Sequence, residues 1–469
     1  MPANSWPEKD SYNELDPLNS MFAEISANMD LEEQRSQKLF VPSRFQGRRR
    51  KAALVLTMVW SGTIALHLVF LGVFLIVLGL STVVGLHALI IVFAKPRSVD
   101  EEMKGDLPFV SLLVAAKNEE LVISNLVNNL CNLEYPRSGY EVWIVDDNSS
   151  DNTPELLYEL ALKYENLKVL RREAGASGGK SGALNEVLPL TKGEVIAVFD
   201  ADAQVSSDVL LRTIPLFGQD NVGAVQLRKE IANASTNFWT KGQMAEMAVD
   251  TFFQERRSLG SGIGELRGNG QFVRRTALYS CGGWNEETIT DDLDLTLRLH
   301  LDKWDIECVF YPVVKEEGVT NAVSLWHQRN RWAEGGYQRY LDYWDLIVRN
   351  RMGTWKTFEL LVNFVLIQYI IPTAIIPDLL MAIARHRPPI LSPLTGMTVT
   401  VSFFGMFAGL KRIHKNKGLK TYTYILPLQS LRGILYMFHW IVVISTTTIR
   451  MSIRPKRLKW VKTLRQGSN

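Results

Sequence analysis

Apolar positions in this chain fall into two long blocks near its ends and a series of short runs between them. The first block, residues 52–94, contains no Asp, Glu, Lys or Arg. At about 20 residues per crossing it is long enough to traverse a bilayer twice, with the turn expected near Phe70 to Gly72. Apolar character returns at Phe358. Phe358–Ile383 is long enough to span, with Pro372 and Pro377 as expected kinks, and Ile390–Leu410 is a second candidate. A third block, Tyr422–Thr448, is interrupted by Pro427, Gln429 and Arg432. Between the blocks, Phe109–Ala116, Tyr140–Val145, Leu167–Leu170 and Val195–Phe199 read as strands rich in β-formers. The last shows no alternation, as expected of a strand buried on both faces. Helices are expected over Glu119–Leu133, after Asp151, and from about Ala183 behind a glycine-rich loop, Gly175 to Gly182. Strand–helix alternation of this kind predicts an α/β domain with a mostly parallel sheet.

Composition and charge turn that pattern into a layout. Of 469 residues, 46% are hydrophobic and the formal net charge is only +3. With no basic–aromatic patch in the middle, nucleic acid is not an expected partner. Residues 1–51 form an acid-rich tail, expected to be largely disordered, that ends in the basic cluster Arg48-Arg-Arg-Lys51. The opening lacks the basic start and apolar run of a signal peptide. Residues 52–94 are expected to be a transmembrane hairpin, 95–355 a cytosolic domain, 356–448 a membrane region of two or three spans, and 449–469 a basic tail. Arg48–Lys51, Lys95 and Arg97 favour the cytosolic side, as do Lys411, Arg412, Lys415, Lys417 and Lys420. Three C-terminal crossings would carry the basic tail to the far side, against the charge rule. The Arg432 block is therefore the one expected to lie at the interface or re-enter. The three cysteines, Cys131, Cys281 and Cys308, form no metal-ligand pattern and are expected to be reduced thiols.

Chemistry concentrates where the short strands end. Asp200-Ala-Asp202 follows the buried run directly, and open α/β sheets bind ligands beyond strand carboxyl ends. Two carboxylates one residue apart suit a hard cation and the phosphates it bridges. Asp is also frequent in turns, so the pair alone supports either reading. Asp146-Asp147 ends another strand. Thr290-Asp-Asp292 reads as a helix N-terminus with Thr290 as N-cap, and one of its acids is a candidate base. Successive helical positions differ by about 100°, so Asp291, Asp292 and Asp294 are not expected to be equivalent. Gln328-Arg-Asn-Arg-Trp332 offers guanidinium forks for a diphosphate and a flat face for stacking, or a solvated helix with one buried Trp. The loop before Lys180 has one residue too few for a P-loop, which excludes the ATPase reading. A flexible loop that carries Lys180 to a nucleotide and a plain surface turn both fit it. Gly260–Gly264 and Gly268-Asn-Gly270 are expected to be loops close to a bound substrate.

Taken in order, these motifs resemble glycosyltransferase family 2, the inverting, nucleotide-sugar-dependent group with the GT-A fold. The matching residues are Val114-Ala-Ala-Lys-Asn-Glu119, Val145-Asp-Asp-Asn-Ser-Ser-Asp151, Lys180-Ser-Gly-Ala-Leu-Asn185, Asp200-Ala-Asp202, Gly282-Gly-Trp284, Thr290-Asp-Asp292 and Gln328 to Trp332. The last is similar to the Gln-x-x-Arg-Trp signature of the membrane-embedded branch that holds cellulose and hyaluronan synthases. Ala115-Ala116 departs from the family, which often has Pro-Thr there. The resemblance covers about residues 108–340 and implies a Rossmann-like, mostly parallel GT-A domain in the cytosol, flanked by transmembrane α-helices.

It also implies roles. Glu119, Asp147, Lys180 and Asp200 would bind the nucleotide-sugar, and Asp202 would hold Mg²⁺, with Mn²⁺ as the alternative metal. Asp292 would be the base, and Gln328, Arg331 and Trp332 would serve the acceptor and diphosphate. The overall layout, the opening Met1-Pro-Ala-Asn-Ser-Trp6 and Ser43–Arg49 resemble lipid-glycosylating members. That implies UDP-glucose as donor, 1,2-diacylglycerol as acceptor, and a multi-pass protein of a plasma or thylakoid-type membrane in contact with membrane lipids. A processive polysaccharide synthase shares every one of these motifs. A non-catalytic nucleotide-sugar-binding membrane protein is the rival from another class.

Overall fold

The computed structural model describes residues 46–93, 107–416, 418 and 425–453. The acid-rich tail, Lys95 and Arg97, Lys417 and Lys420, and the basic tail past Ile453 lie outside the described residues.

Two helices open the described chain, α1 (Arg48–Leu68) and α2 (Phe70–Phe93). The break falls at Val69, just before the expected turn. The soluble domain then alternates β1 (Val110–Ala116), α3 (Ile123–Leu130), β2 (Tyr140–Asp146), α4 (Thr153–Lys163), β3 (Leu167–Arg171), α5 (Gly179–Val187) and β4 (Val195–Phe199). Here strand–helix periodicity and structure agree, except at two helix starts. Glu119 does not begin α3, because Asn118 takes a left-handed φ of 55° and the Glu119 N–H is committed to Thr153 Oγ1 at 2.9 Å. Helix α5 begins inside the glycine-rich loop, at Gly179 behind a left-handed Gly178. Lys180 therefore sits on the first turn of a helix and not on a swinging loop.

Further on come β5 (Gln204–Val205), α6 (Val209–Thr213), β6 (Val222–Ile231), α7 (Phe238–Leu259), β7 (Gln271–Arg274), α8 (Arg275–Ser280), α9 (Asp291–Leu301), β8 (Asp305–Glu316) and α10 (Ala322–Val348). The eight strands form one sheet in the order β3-β2-β1-β4-β7-β6-β8-β5. The first four are parallel, β7 is antiparallel to both neighbours, and β6 and β8 are parallel to each other. Side chains on the two faces of β4 enter separate cores. Val195, Ala197 and Phe199 pack with α3, whereas Ile196 and Val198 pack with Leu184 of α5 and Leu295 and Leu299 of α9. All three cysteines are buried and free, and burial pushes each thiol up to about 12.

The C-terminal region begins with one continuous helical run: α11 (Thr354–Glu359), a π-helix (Leu360–Ile370) and α12 (Ile371–Ala384). Then follow α13 (Ser392–Asn416), α14 (Ile425–Met437) and α15 (His439–Ile453). Among the described residues, five helical runs are long and apolar enough to cross a membrane: 48–68, 75–92, 354–384, 392–416 and 425–453. The first is tied at both ends. Arg48 is paired with Asp342 of α10, and His67 Nε2 lies 2.7 Å from Asp378 Oδ1 of α12.

The last run packs on the soluble domain as well as on neighbouring apolar helices, where Ser445 Oγ donates to the Pro372 carbonyl of α12 at 2.7 Å. Leu426 packs with Phe310 and Ala245, Trp440 Nε1 donates to Glu246 at 2.7 Å, and Arg450 Nη1 donates to Asn330 at 2.9 Å. On its opposite face, Leu428, Leu431, Leu435, Phe438 and Val442 form an exposed stripe at helical spacing.

Candidate active site

The carboxyl ends of β1, β2 and β4 open on one side of the sheet, and the site is assembled there. Asp200 and Asp202 occupy the turn after β4. The Asp200 N–H donates to Asn269 Oδ1 at 3.2 Å, and Asp200 Oδ1 accepts from Lys180 Nζ at 2.6 Å. Asp202 Oδ2 accepts from the Glu317 N–H at 3.3 Å. Lys180 Nζ also donates to the Gly268 carbonyl at 3.0 Å. Burial opposes the charge on Lys180, but the carboxylates of Asp200, Asp291 and Asp292 prevail and hold its pKa above the ordinary lysine value.

Helix α9 points its N-terminus at this cluster. Thr290 is the N-cap residue, as the sequence suggests, but its hydroxyl makes no capping bond. It lies instead against α10 at Gly335, where a Cβ would come within 2.2 Å of Thr290 Oγ1. Only glycine permits that approach. Both Asp291 and Asp292 border the cavity, because the helix meets it end-on. Asp294 turns away. It is buried and accepts from Arg298 Nε at 2.7 Å, Asn285 Nδ2 at 3.0 Å and Tyr343 Oη at 3.2 Å. Burial, then the charge of Asp291, raises the Asp292 carboxyl to about 6, against the pull of the Leu293 N–H, Lys180 and Lys229. Gly268, at φ 78°, lies so close that a Cβ there would meet Asp292 Oδ2 at 3.2 Å.

On α10, Gln328, Arg331 and Trp332 border the same cavity. Beneath Trp332, the guanidinium of Arg329 stacks 4.0 Å from the ring centroid. Arg329 is fully buried and is held by Glu246 of α7 at 2.5 Å and by Tyr436 Oη of α14 at 3.1 Å. Trp332, one of the residues singled out by sequence, is thus supported from three helices.

These parts share one cavity of about 800 Å³. Its polar end is bordered by Glu119, Lys180, Asp200, Asp202, Asp291 and Asp292, and acidic groups outnumber basic ones along its wall. From Trp332 it continues between helices, past Val84, Ile91, Ile367, Val401, Ile441 and Ile444, into apolar surroundings. Eight of the nine expected site residues border it. Asp147 does not. It lies one strand over, after β2, held by Arg172 Nη1 at 2.7 Å and Lys117 Nζ at 3.3 Å.

The cavity also gathers groups that sequence reasoning passed over. Lys229 pairs with Glu316 at 2.8 Å, with its Nζ 5.6 Å from the Trp332 ring centroid. Arg267 binds Asp250 at 2.6 Å and Glu265 at 2.9 Å. No motif marks these residues. The only signal was Gly268-Asn-Gly270 beside Arg267, whose loop does touch Lys180, Asp200 and Asp292.

Among the described residues, no three His, Cys, Asp or Glu side chains are arranged to hold a metal. The donor set still suits a hard cation of the magnesium kind, which is commonly held by one or two carboxylates and completes its shell with substrate phosphate and water. Asp200 and Asp202 supply the carboxylates, and Asp291 Oδ2 is buried in the same wall without a hydrogen-bond partner.

Comparison with known proteins gives a consistent result. Residues 108–335 match the family model described as "Glycosyltransferase like family 2". A β-monoglucosyldiacylglycerol synthase of Trichormus variabilis is 69% identical over 100% of both chains. One of Synechocystis sp. is 51% identical, covering 99% of this chain and 97% of its own. Among solved structures, a mannosyltransferase of Pyrobaculum calidifontis in complex with GDP-Man and Mn²⁺ superposes with a TM-score of 0.52. It is 18% identical and covers 84% of this chain and 99% of its own. That likeness fixes the fold as GT-A-like.

Proposed function

Because the chain belongs to the β-monoglucosyldiacylglycerol synthases within the family-2-like glycosyltransferases, we propose that it moves glucose from UDP-glucose to the 3-hydroxyl of 1,2-diacylglycerol, with inversion. The observation that carries this reading is the single cavity that joins the carboxylate cluster to an apolar passage between helices. A water-soluble donor fits one end and a lipid the other. The walls of this passage are mainly aliphatic, broken by Asn363, Gln368, Thr398 and Ser402, which suits a lipid better than the hydrophilic chain of a polymer-exporting synthase.

The residues divide the work. Asp292, oriented by α9 and crowded by Gly268, takes the proton of the acceptor hydroxyl. That oxygen attacks the anomeric carbon as the bond to the diphosphate breaks, so an α-linked donor gives a β-glycoside in one displacement. Lys180 and Arg331 offer positive charge to the departing diphosphate. Glu119 and, from the adjacent strand end, Asp147 belong to the nucleotide side. Trp332 presents a flat face to the acceptor, and Gln328 borders it. Asp200 and Asp202 would hold Mg²⁺ or Mn²⁺, which when bound offsets the charge that develops on the leaving diphosphate.

We read the run 425–453 as lying in the membrane interface, with the Leu428–Val442 stripe toward lipid and its other faces on α7 and α10 and on the neighbouring helices α1, α12 and α13. That leaves four crossings and puts Arg48 and Ile453 on the same side, which the charge of Arg48–Lys51 makes the cytosolic one.

The deciding experiment uses purified protein in detergent with UDP-glucose and 1,2-diacylglycerol, resolved by thin-layer chromatography. One lipid carrying a single hexose is the expected product. A ladder of polymer would replace this reading with the processive synthase. No UDP release under any condition would leave only a binding protein.

A further inference from the structure

The segment Leu360–Ile370 is wound as a π-helix for 11 residues inside an apolar run long enough to cross a membrane. Most π-helical turns are single and many mark functional sites, so a stretch of this length asks for a reason. In an α-helix, residues five apart point roughly 140° away from one another. Asn363 and Gln368 would then face nearly opposite ways. The wider winding, with bonds spanning five residues, brings such a pair toward one side. Both Asn363 and Gln368 border the cavity. The π-helix thus turns two amides into a passage whose neighbouring walls are Val84, Ile367 and Val401.

Their surroundings place them between the two ends of the cavity. Tyr369, next to Gln368, donates from its hydroxyl to the Ala333 carbonyl at 3.2 Å, one residue past Trp332. Asn363 is oriented by His87 of α2, whose Nε2 lies 2.5 Å from Asn363 Nδ2. Gln368 is exposed to the cavity and makes no hydrogen bond among the described residues. Polar side chains in a membrane-embedded run are costly and tend to be kept for function.

We propose that Asn363 and Gln368 form a subsite for the ester carbonyls of the acceptor lipid, and so select ester-linked glycerolipids. This rests on the reading of the acceptor as a diacylglycerol. An amide N–H donates well to an ester carbonyl and poorly to an ether oxygen. The carbonyls lie only a few bonds from the free hydroxyl of a diacylglycerol. A group that engages them in the passage would fix that hydroxyl toward Asp292 while the acyl chains continue between the helices.

The test compares 1,2-diacylglycerol with 1,2-dialkylglycerol of matched chain length, using the purified full chain in mixed micelles. The wild type is expected to favour the ester several-fold in kcat/KM. Gln368→Met keeps the length of the side chain and removes its donor. It should raise KM for the ester lipid roughly threefold to tenfold, the worth of one neutral hydrogen bond. KM for UDP-glucose and the rate on the ether lipid should stay unchanged, so that the ester/ether ratio falls toward one. Asn363→Leu should move the ratio in the same direction. An unchanged ratio in Gln368→Met, or equal losses on both lipids, would overturn the subsite. A wild type that uses neither lipid while still hydrolysing UDP-glucose would reject the diacylglycerol reading itself, and the subsite with it.

Discussion

The two ends of the cavity are built by different means. At the polar end Lys180, Asp200 and Asp202 are held by directional bonds from separate elements. Asp200 is fixed by Lys180 of α5 and by Asn269, and Asp202 by the Glu317 N–H. At the other end, Val84, Ile367, Val401, Ile441 and Ile444 meet through shape, from four different helices. The contrast teaches where each property resides. Bond making depends on atoms placed to fractions of an ångström, whereas lipid admission depends on volume. Changing one atom should silence the first end, whereas a change of bulk should disturb the second.

The largest effect is expected at Asp292. Asp292→Asn keeps size and removes the proton acceptor, so kcat should fall by about 10² to 10⁴ while UDP-glucose still binds. Initial rates and donor affinity in detergent measure both. Near-wild-type turnover would take the base elsewhere. Asp202→Ala should be comparably inactive. EDTA should abolish activity, with Mg²⁺ or Mn²⁺ restoring it, and full turnover in EDTA would remove the metal from the site.

Asp294, two residues along the same helix, sharpens the contrast. Its carboxylate neutralises the fully buried Arg298. Asp294→Asn should therefore cost stability, about 3–5 kcal/mol, by leaving that charge uncompensated. A thermal melt should record the loss, and activity per folded molecule should survive. An inactive variant that melts like the wild type would assign Asp294 to the chemistry instead.

Next in size is a pH effect. A carboxylate base works only when ionised, and the Asp292 carboxyl is raised to about 6. Values of kcat/KM should rise with pH through about 6 and drop roughly tenfold for each unit below it. A profile flat from pH 5 to 8 would contradict the placement of Asp292 in its buried, acid-rich corner.

The smallest effect is expected at the apolar end. Ile441→Trp fills the passage without touching a charged group. It should raise KM for long-chain diacylglycerol several-fold, spare short-chain acceptors and leave KM for UDP-glucose alone. Equal effects on donor and acceptor would erase the distinction between the two ends.

The parallel half of the sheet was legible because β1 to β4 are short apolar runs bounded by acids and glycines. The other half was not. β6 buries Gln226, Arg228 and Lys229 within a strand, and β8 carries Pro312, so neither shows a clean strand pattern. Most motif residues were readable because they sit at strand ends and helix starts, where local geometry leaves a mark, whereas Gln328 to Trp332 lie inside α10 and were readable as a motif alone. Lys229 reaches the site from inside β6 and Arg267 from a loop, with no such mark, and Glu316 ends a strand whose pattern was itself not legible. The π-helix was not read from the sequence, and the partners of its Tyr369 and Asn363 lie far along the chain, on α10 and α2. Lys180 borders the cavity from the first turn of a helix, and neither the flexible loop nor the surface turn that the sequence left open describes it, because two left-handed glycines start α5 earlier than a glycine-rich stretch suggests.

The apolar passage has a consequence for how the reaction is counted. An acceptor that arrives between helices never becomes a solute. Its search is confined to a plane, and the quantity that governs saturation is its mole fraction among neighbouring lipids, not its amount per litre. Diluting the whole sample with buffer would leave the acceptor term untouched, while adding inert lipid would slow the enzyme as surely as withholding substrate.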